Sequence, residues 1–212
     1  MNYFADVGAL ARKDLLLELR ARDTLPAMLL FVVSTLVVFH FVLPANSSDL
    51  AATGLLWVAL LFTALLGLSR SFAAEREQGL IDGLVLAPSD RSAIWLGKAL
   101  SILAFLALAE VIALPAYGLF HRPVDAALIG GVALADVGIA AVGTLLAAMA
   151  TASRARELLL PLLFLPLAIP IVVGGVGASV ADEPARYLAL LGLYDALFAI
   201  ICWASFEYVV TE

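Results

Sequence analysis

Six apolar runs, each close to the roughly 20 residues a helix needs to cross the hydrocarbon core of a bilayer, constrain this chain more than any other feature. They cover about Pro26–Leu43, Leu50–Leu68, Ala99–Phe120, Ala126–Ala150, Leu158–Ser179 and Tyr187–Val210. Lipid offers no partner to a backbone N–H or C=O, so such a run must bond within itself as a helix. Of the 212 residues, 64% are apolar and 14% charged, whereas a soluble domain is about 25% charged. The expected fold is an all-α polytopic membrane protein with six transmembrane helices. It forms one membrane-embedded domain over 1–212: an interfacial helix (1–24), spans one and two (26–68), a polar segment (69–98) and spans three to six (99–210).

Lys and Arg gather on the cytoplasmic side of a membrane protein. Arg12, Lys13, Arg20 and Arg22 precede the first span; Arg70, Arg76, Arg91 and Lys98 lie between the second and third, and Arg154 and Arg156 between the fourth and fifth. Only Arg122 and Arg186 fall on the other side. Both termini and the polar segment are therefore expected in the cytoplasm. The leader carries both acids and bases, unlike the short basic start of a cleavable signal peptide. A net charge of −6 argues against a nucleic-acid partner.

On a helical wheel Tyr3, Phe4, Val7, Leu10 and Ala11 share one side, with Arg12, Lys13 and Arg20 roughly opposite, which suits a helix in the headgroup layer. Asp14 returns to the apolar side. In the fourth span Ala133, Ala140, Thr144 and Ala148, with Gly130, Gly138 and Gly143, form a small-residue face that lets another helix approach. The fifth span holds Pro161, Pro166 and Pro170, then Gly174, Gly175 and Gly177. Each proline removes a helical hydrogen bond, so this span is expected to be kinked or broken into a re-entrant hairpin.

Three acids lie inside apolar runs, where an ionisable side chain marks a functional site by default. Glu110 and Asp136 fall at similar depth and would pair or share a proton if their helices face each other; the alternative is interhelical glue. Asp195 is expected nearer the outer surface, in reach of water. His40 and His121 fall at the outer ends of spans. Their imidazoles suit a metal or haem iron, but no local motif surrounds them, and interfacial polar residues are the plainer reading. No C-x-x-C-H, H-E-x-x-H or G-x-S-x-G pattern is present, and the single cysteine, Cys202, has no partner for a disulfide or a paired-cysteine metal site. Gly97-Lys98 is not a phosphate loop, because Ser92 and Ala99 stand where that loop needs Gly and Ser/Thr. No catalytic residue, metal or bound cofactor is therefore expected, and any ATP-driven work needs another polypeptide.

The polar segment is the main water-facing piece within the apolar body. If Phe72–Leu86 is helical, Glu75, Gln78 and Asp82 share one face while Leu80, Ile81, Leu84 and Val85 point broadly the other way. Gly79 and Gly83 weaken such a helix, and Pro88 ends it. The result would be a short helix with its acidic face towards a soluble partner.

The run Phe72-Ala73-Ala74-Glu75-Arg76-Glu77-Gln78-Gly79-Leu80-Ile81-Asp82-Gly83-Leu84, followed by Leu86-Ala87-Pro88, Arg91 and Leu96-Gly97-Lys98, resembles the coupling region of the CcmB family. Lys13-Asp14-Leu15 with Glu18-Leu19-Arg20, the stretch from Leu56-Trp57-Val58 to Leu66, and Arg154 to Pro161 extend the resemblance across the chain. Phe72, Gly79, Asp82 and Leu84 match the family pattern. Glu75 lengthens its first acid, and Gln78 replaces its second with an amide. The downstream part is shared with many ABC exporter permeases.

The resemblance implies a permease subunit of an ABC transporter in cytochrome c maturation, set in the bacterial cytoplasmic (inner) membrane. It implies a CcmA-like ATPase engaged through Phe72, Glu75, Gln78, Gly79, Asp82 and Leu84, and a second copy of the chain. A CcmC-like haem-handling protein and a CcmE-like haem chaperone complete the set. ATP would be hydrolysed by the ATPase, haem handled by the complex, and the loaded chaperone released at the outer face. Two other readings are a proton-coupled carrier using Glu110 and Asp136, and a non-transporting assembly scaffold.

Overall fold

The computed structural model describes residues 3–44, 47–72, 90–151 and 156–211. All secondary structure among them is helical: α1 (Tyr3–Ala21), α2 (Thr24–Val42), α3 (Asp49–Arg70), α4 (Arg91–Phe120), α5 (Ala126–Thr151), α6 (Arg156–Val180) and α7 (Pro184–Thr211). All but α1 are long and apolar enough to cross a membrane, matching the six expected spans. α1, the start of α4 and the end of α7 meet at one end of the bundle, here the terminal end, where Tyr3 adjoins Ser92 and Arg91 adjoins Glu207.

α5 is the central helix, packed on α4, α6 and α7. Its burial goes beyond a single stripe: Gly131, Gly138 and Gly143 are buried on different sides together with Ala140, Thr144 and Ala148, while Ala133 is exposed. A methyl on Gly143 would overlap Leu68 of α3, and one on Gly138 would meet Ile171 of α6 and Tyr194 of α7. Small residues let helices approach closely enough for dispersion contacts to replace a hydrophobic drive that lipid does not supply. On α6, Gly175 leaves room for the Trp57 ring, whose indole N–H donates to Ser179 Oγ at 3.3 Å.

α6 corrects the expectation of a re-entrant hairpin. It is one continuous helix of 25 residues with all three prolines inside it. Between Pro166 and Pro170 the Leu167 carbonyl accepts from the Tyr194 hydroxyl at 2.9 Å, so α7 is bonded to α6 within its proline-rich stretch.

α1 packs along the start of α4. Gly97 permits this: a Cβ there would fall 2.8 Å from Leu10 Cβ. Val7 is buried, whereas Phe4, expected on the same side, is 81% exposed. The apolar face is thus divided between α4 and the surroundings.

Overpacking a close helix contact costs about 1–3 kcal/mol. Gly175→Ala is expected to lower thermal stability in detergent by that order, because the Trp57 ring has nowhere to go. Gly54→Ala, where nothing lies within 4 Å of the added carbon, is expected to hold or slightly raise the melting temperature, because alanine is the better helix former.

Candidate functional site

Polar side chains sit at three levels of the bundle. At the terminal end, the Lys98 Nζ lies 3.1 Å from Asp14 Oδ2, the two side chains being only 5% and 10% exposed. The contact is an ion pair rather than a well-aligned hydrogen bond, since Asp14 Oδ2 has no hydrogen-bond donor. Lys13 approaches the other oxygen at 3.0 Å. Lys98 also donates to the Ser71 carbonyl at 2.7 Å and lies 4.8 Å from the Phe72 ring centroid, within cation–π range. One ammonium therefore joins α1, the end of α3 and the start of α4. Phe72 is buried at the mouth of the expected coupling helix; Glu75, Gln78, Gly79, Asp82 and Leu84 lie outside the described residues.

Glu18 makes a second junction. Its carboxylate accepts from the Thr24 N–H at 2.5 Å, the Thr24 hydroxyl at 2.8 Å and the Leu25 N–H at 3.3 Å. It thus caps α2 from the preceding helix, while Asp23 at the N-cap position makes no cap bond. The turn between them places Arg22 at φ 57°, a left-handed conformation that costs a non-glycine residue about 1 kcal/mol or more. The Glu18 bonds offset it.

At mid-depth, Glu110 is ten residues from the far end of α4, Asp136 ten from the start of α5 and Asp195 eleven from the start of α7. At 1.5 Å per residue all three lie roughly 15–17 Å in. Glu110 and Asp136 face the same small space between α4 and α5. A cavity of about 10 Å³ adjoins them, walled by Trp57, Leu60, Ala135 and Ile171, about the space one water needs. Asp195 departs from its expected place near water. It is buried, at 6% exposure, and neither carboxyl oxygen has a partner among the described residues. It rests against Gly138, two residues along α5 from Asp136 and hence on another side of that helix.

At the far end, His40 and His121 come together, their ring centroids 6.0 Å apart and perpendicular. His121 stacks on Tyr117 at 5.3 Å, and the Tyr117 hydroxyl bonds Thr53 at 2.9 Å. Burial, and then the charge of His40, hold the His121 imidazole below its usual pKa. Beside them Arg122 donates to the Ser179 carbonyl at 3.1 Å and to Asp125 at 2.9 Å, and Asp125 accepts from the Leu128 N–H at the start of α5.

Sequence reasoning anticipated the Glu110–Asp136 contact but not the Asp14–Lys98 pair or the Glu18 cap. The available signal for the pair was Asp14 itself, the acid that breaks the apolar side of α1.

Removing one member of a buried ion pair costs about 3–5 kcal/mol, much more than replacing both with apolar groups. Lys98→Met alone is expected to destabilise the protein by that amount, and Asp14→Leu with Lys98→Met to recover most of it, as read by thermal unfolding in a double-mutant cycle.

The family described as CcmB protein matches residues 6–206. The chain is 33% identical over 209 residues to Heme exporter protein B of Rhodobacter capsulatus, covering 93% of this chain and 95% of that protein. It is 29% identical over 212 residues to the protein of the same name from Bradyrhizobium diazoefficiens, covering 96% and 92%, and 32% over 207 residues to that of Paracoccus denitrificans, covering 93% and 95%.

Proposed function

The chain belongs to the CcmB family, and from that premise we propose that it is the transmembrane permease of a haem export assembly, driven by a partner ATPase that grips residues 69–98. The observation that carries this reading is the likeness to haem exporter proteins over nearly the whole of both chains. The terminal end supports the coupling part. A push on the coupling segment arrives at Phe72, and there Lys98 ties α3, α4 and α1 into one body. Such a junction passes displacement to several spans at once, as a power-receiving subunit needs.

In this reading both termini and residues 69–98 face the cytoplasm of a bacterial inner membrane, in keeping with the distribution of Lys and Arg. Two copies associate with two CcmA-like ATPase subunits, beside a CcmC-like haem-handling protein, and hydrolysis frees a haem-loaded CcmE-like chaperone at the outer face. The permease itself performs no catalysis. Glu75 and Asp82 present charge to the ATPase, while Phe72 and Leu84 seat the segment on the bundle.

Charge reversal at both Glu75 and Asp82 is expected to abolish co-purification with the ATPase while the permease stays folded in the membrane. Full retention of the ATPase would sink the coupling proposal.

The placing of Glu110 and Asp136 on one small cavity at mid-depth favours a second reading, a proton-coupled carrier. Under it, Glu110→Gln with Asp136→Asn stops cytochrome c maturation yet leaves the ATPase complex intact. Unaffected maturation removes this reading without touching the first.

A further inference from the structure

His40 and His121 are the only histidines in the chain, and the fold sets them on one cleft of about 260 Å³ at the far end, with Ser47, Asp49 and Arg122 among its walls. The His40 Nδ1 lies 3.3 Å from the Phe120 carbonyl oxygen. A carbonyl oxygen only accepts, so this bond puts the ring proton on Nδ1 and the lone pair on Nε2. Metal-ligating histidines are commonly oriented in this way. Across the cleft both His121 nitrogens are shielded from solvent and have no hydrogen-bond partner among the described residues. An imidazole has one donor and one acceptor to satisfy, and leaving both unmet inside a protein is costly. Stacking on Tyr117 and the edge contact with His40 hold the ring where it is.

We propose that His40 and His121 ligate one divalent transition-metal ion between the end of α2 and the end of α4, leaving its other positions open to water or an incoming ligand. Neutral imidazole suits zinc, copper and nickel. Among the described residues no group of three or more His, Cys, Asp or Glu stands ready to hold a metal, so the protein supplies two bonds and the ion remains open, unlike the closed four-ligand sites that serve structure. The charged groups facing the pair are Asp49 from α3 and Arg122, the latter already neutralised by Asp125 at 2.9 Å. Nothing cationic is therefore left uncompensated against the ion. The ion would clamp the first span to the third at the mouth of the bundle.

The test uses the full chain in lipid nanodiscs, purified without a polyhistidine tag, titrated with Cu²⁺ and Zn²⁺ by calorimetry and followed by copper electron paramagnetic resonance. The expected result is one ion per chain with two nitrogen couplings. Affinity falls on going from pH 7.5 to 5.5, because protons compete for the imidazoles. Each of His40→Ala and His121→Ala weakens binding by about tenfold or more, on the scale set by disturbing a metal's outer sphere, and the double variant abolishes it. Should His121→Ala fail to yield monodisperse protein, His40→Gln, altered at an exposed ring, carries the comparison. Uptake that is unchanged in the His40 variants, or not saturable at one ion, overturns the proposal. Histidine-dependent binding of hemin with no binding of either ion overturns it too, in favour of a porphyrin.

Discussion

Hydrocarbon gives a polar group nothing to bond with, so each polar side chain within the bundle must find its partner in the protein or define a place where something else belongs. That constraint sorts the structure into levels. Near the terminal end charge is neutralised by charge, as Lys98 meets Asp14. Halfway across, where no Lys, Arg or His lies, two carboxyls, Glu110 and Asp136, face the same small space. At the far end the Thr53 and Tyr117 hydroxyls pair with each other, while the His40 imidazole and the Arg122 guanidinium reach loose carbonyls at helix ends. Asp195 alone of the mid-depth acids lacks a partner among the described residues, and burying an unpartnered carboxyl against Gly138 is costly.

Close packing around α5 is what makes these levels possible. A carboxyl on α4 reaches one on α5 only if the two helices approach closely, and a residue as small as Ala135, beside both acids, permits it. Trp57 fills the remaining space from the cavity beside Glu110 to Ser179 at the far end. Its ring thus touches both the mid-depth and the far-end polar groups, and Gly175 is the condition for its presence.

The six spans were legible because length and hydropathy report directly on a solvent that forbids any alternative to the helix. Matching depths for Glu110 and Asp136 were legible for the same reason, since rise per residue converts position into depth. The readings that failed depended on neighbours. Three prolines in α6 suggested a break, but the sequence cannot show that Tyr194, from another helix, donates into the same turn. Asp195 read as near water because its own run ends close by; burial was decided by α5 and α6. Asp14 looked like noise in the amphipathic pattern of α1 until α4 brought Lys98 to it. Local pattern specifies each helix, whereas pairing of polar groups is a property of helices in contact.

Pairing of that kind ties the helix ends that flank residues 73–89. Lys98 holds the Ser71 carbonyl, the Phe72 ring and Asp14 together. α1 then continues to Glu18, whose carboxylate grips the first turn of α2, with Arg22 held in a conformation too restricted to act as a loose hinge. The chain of contacts therefore runs from α3 and α4 through α1 into α2, by an ion pair at Asp14 and by hydrogen bonds at Glu18. These contacts join α1, α2, α3 and α4 into one set, to which the helix ends carrying His40 and His121 belong, and α6 and α7 meet that set directly, at Trp57–Ser179 and Arg91–Glu207, as well as through α5.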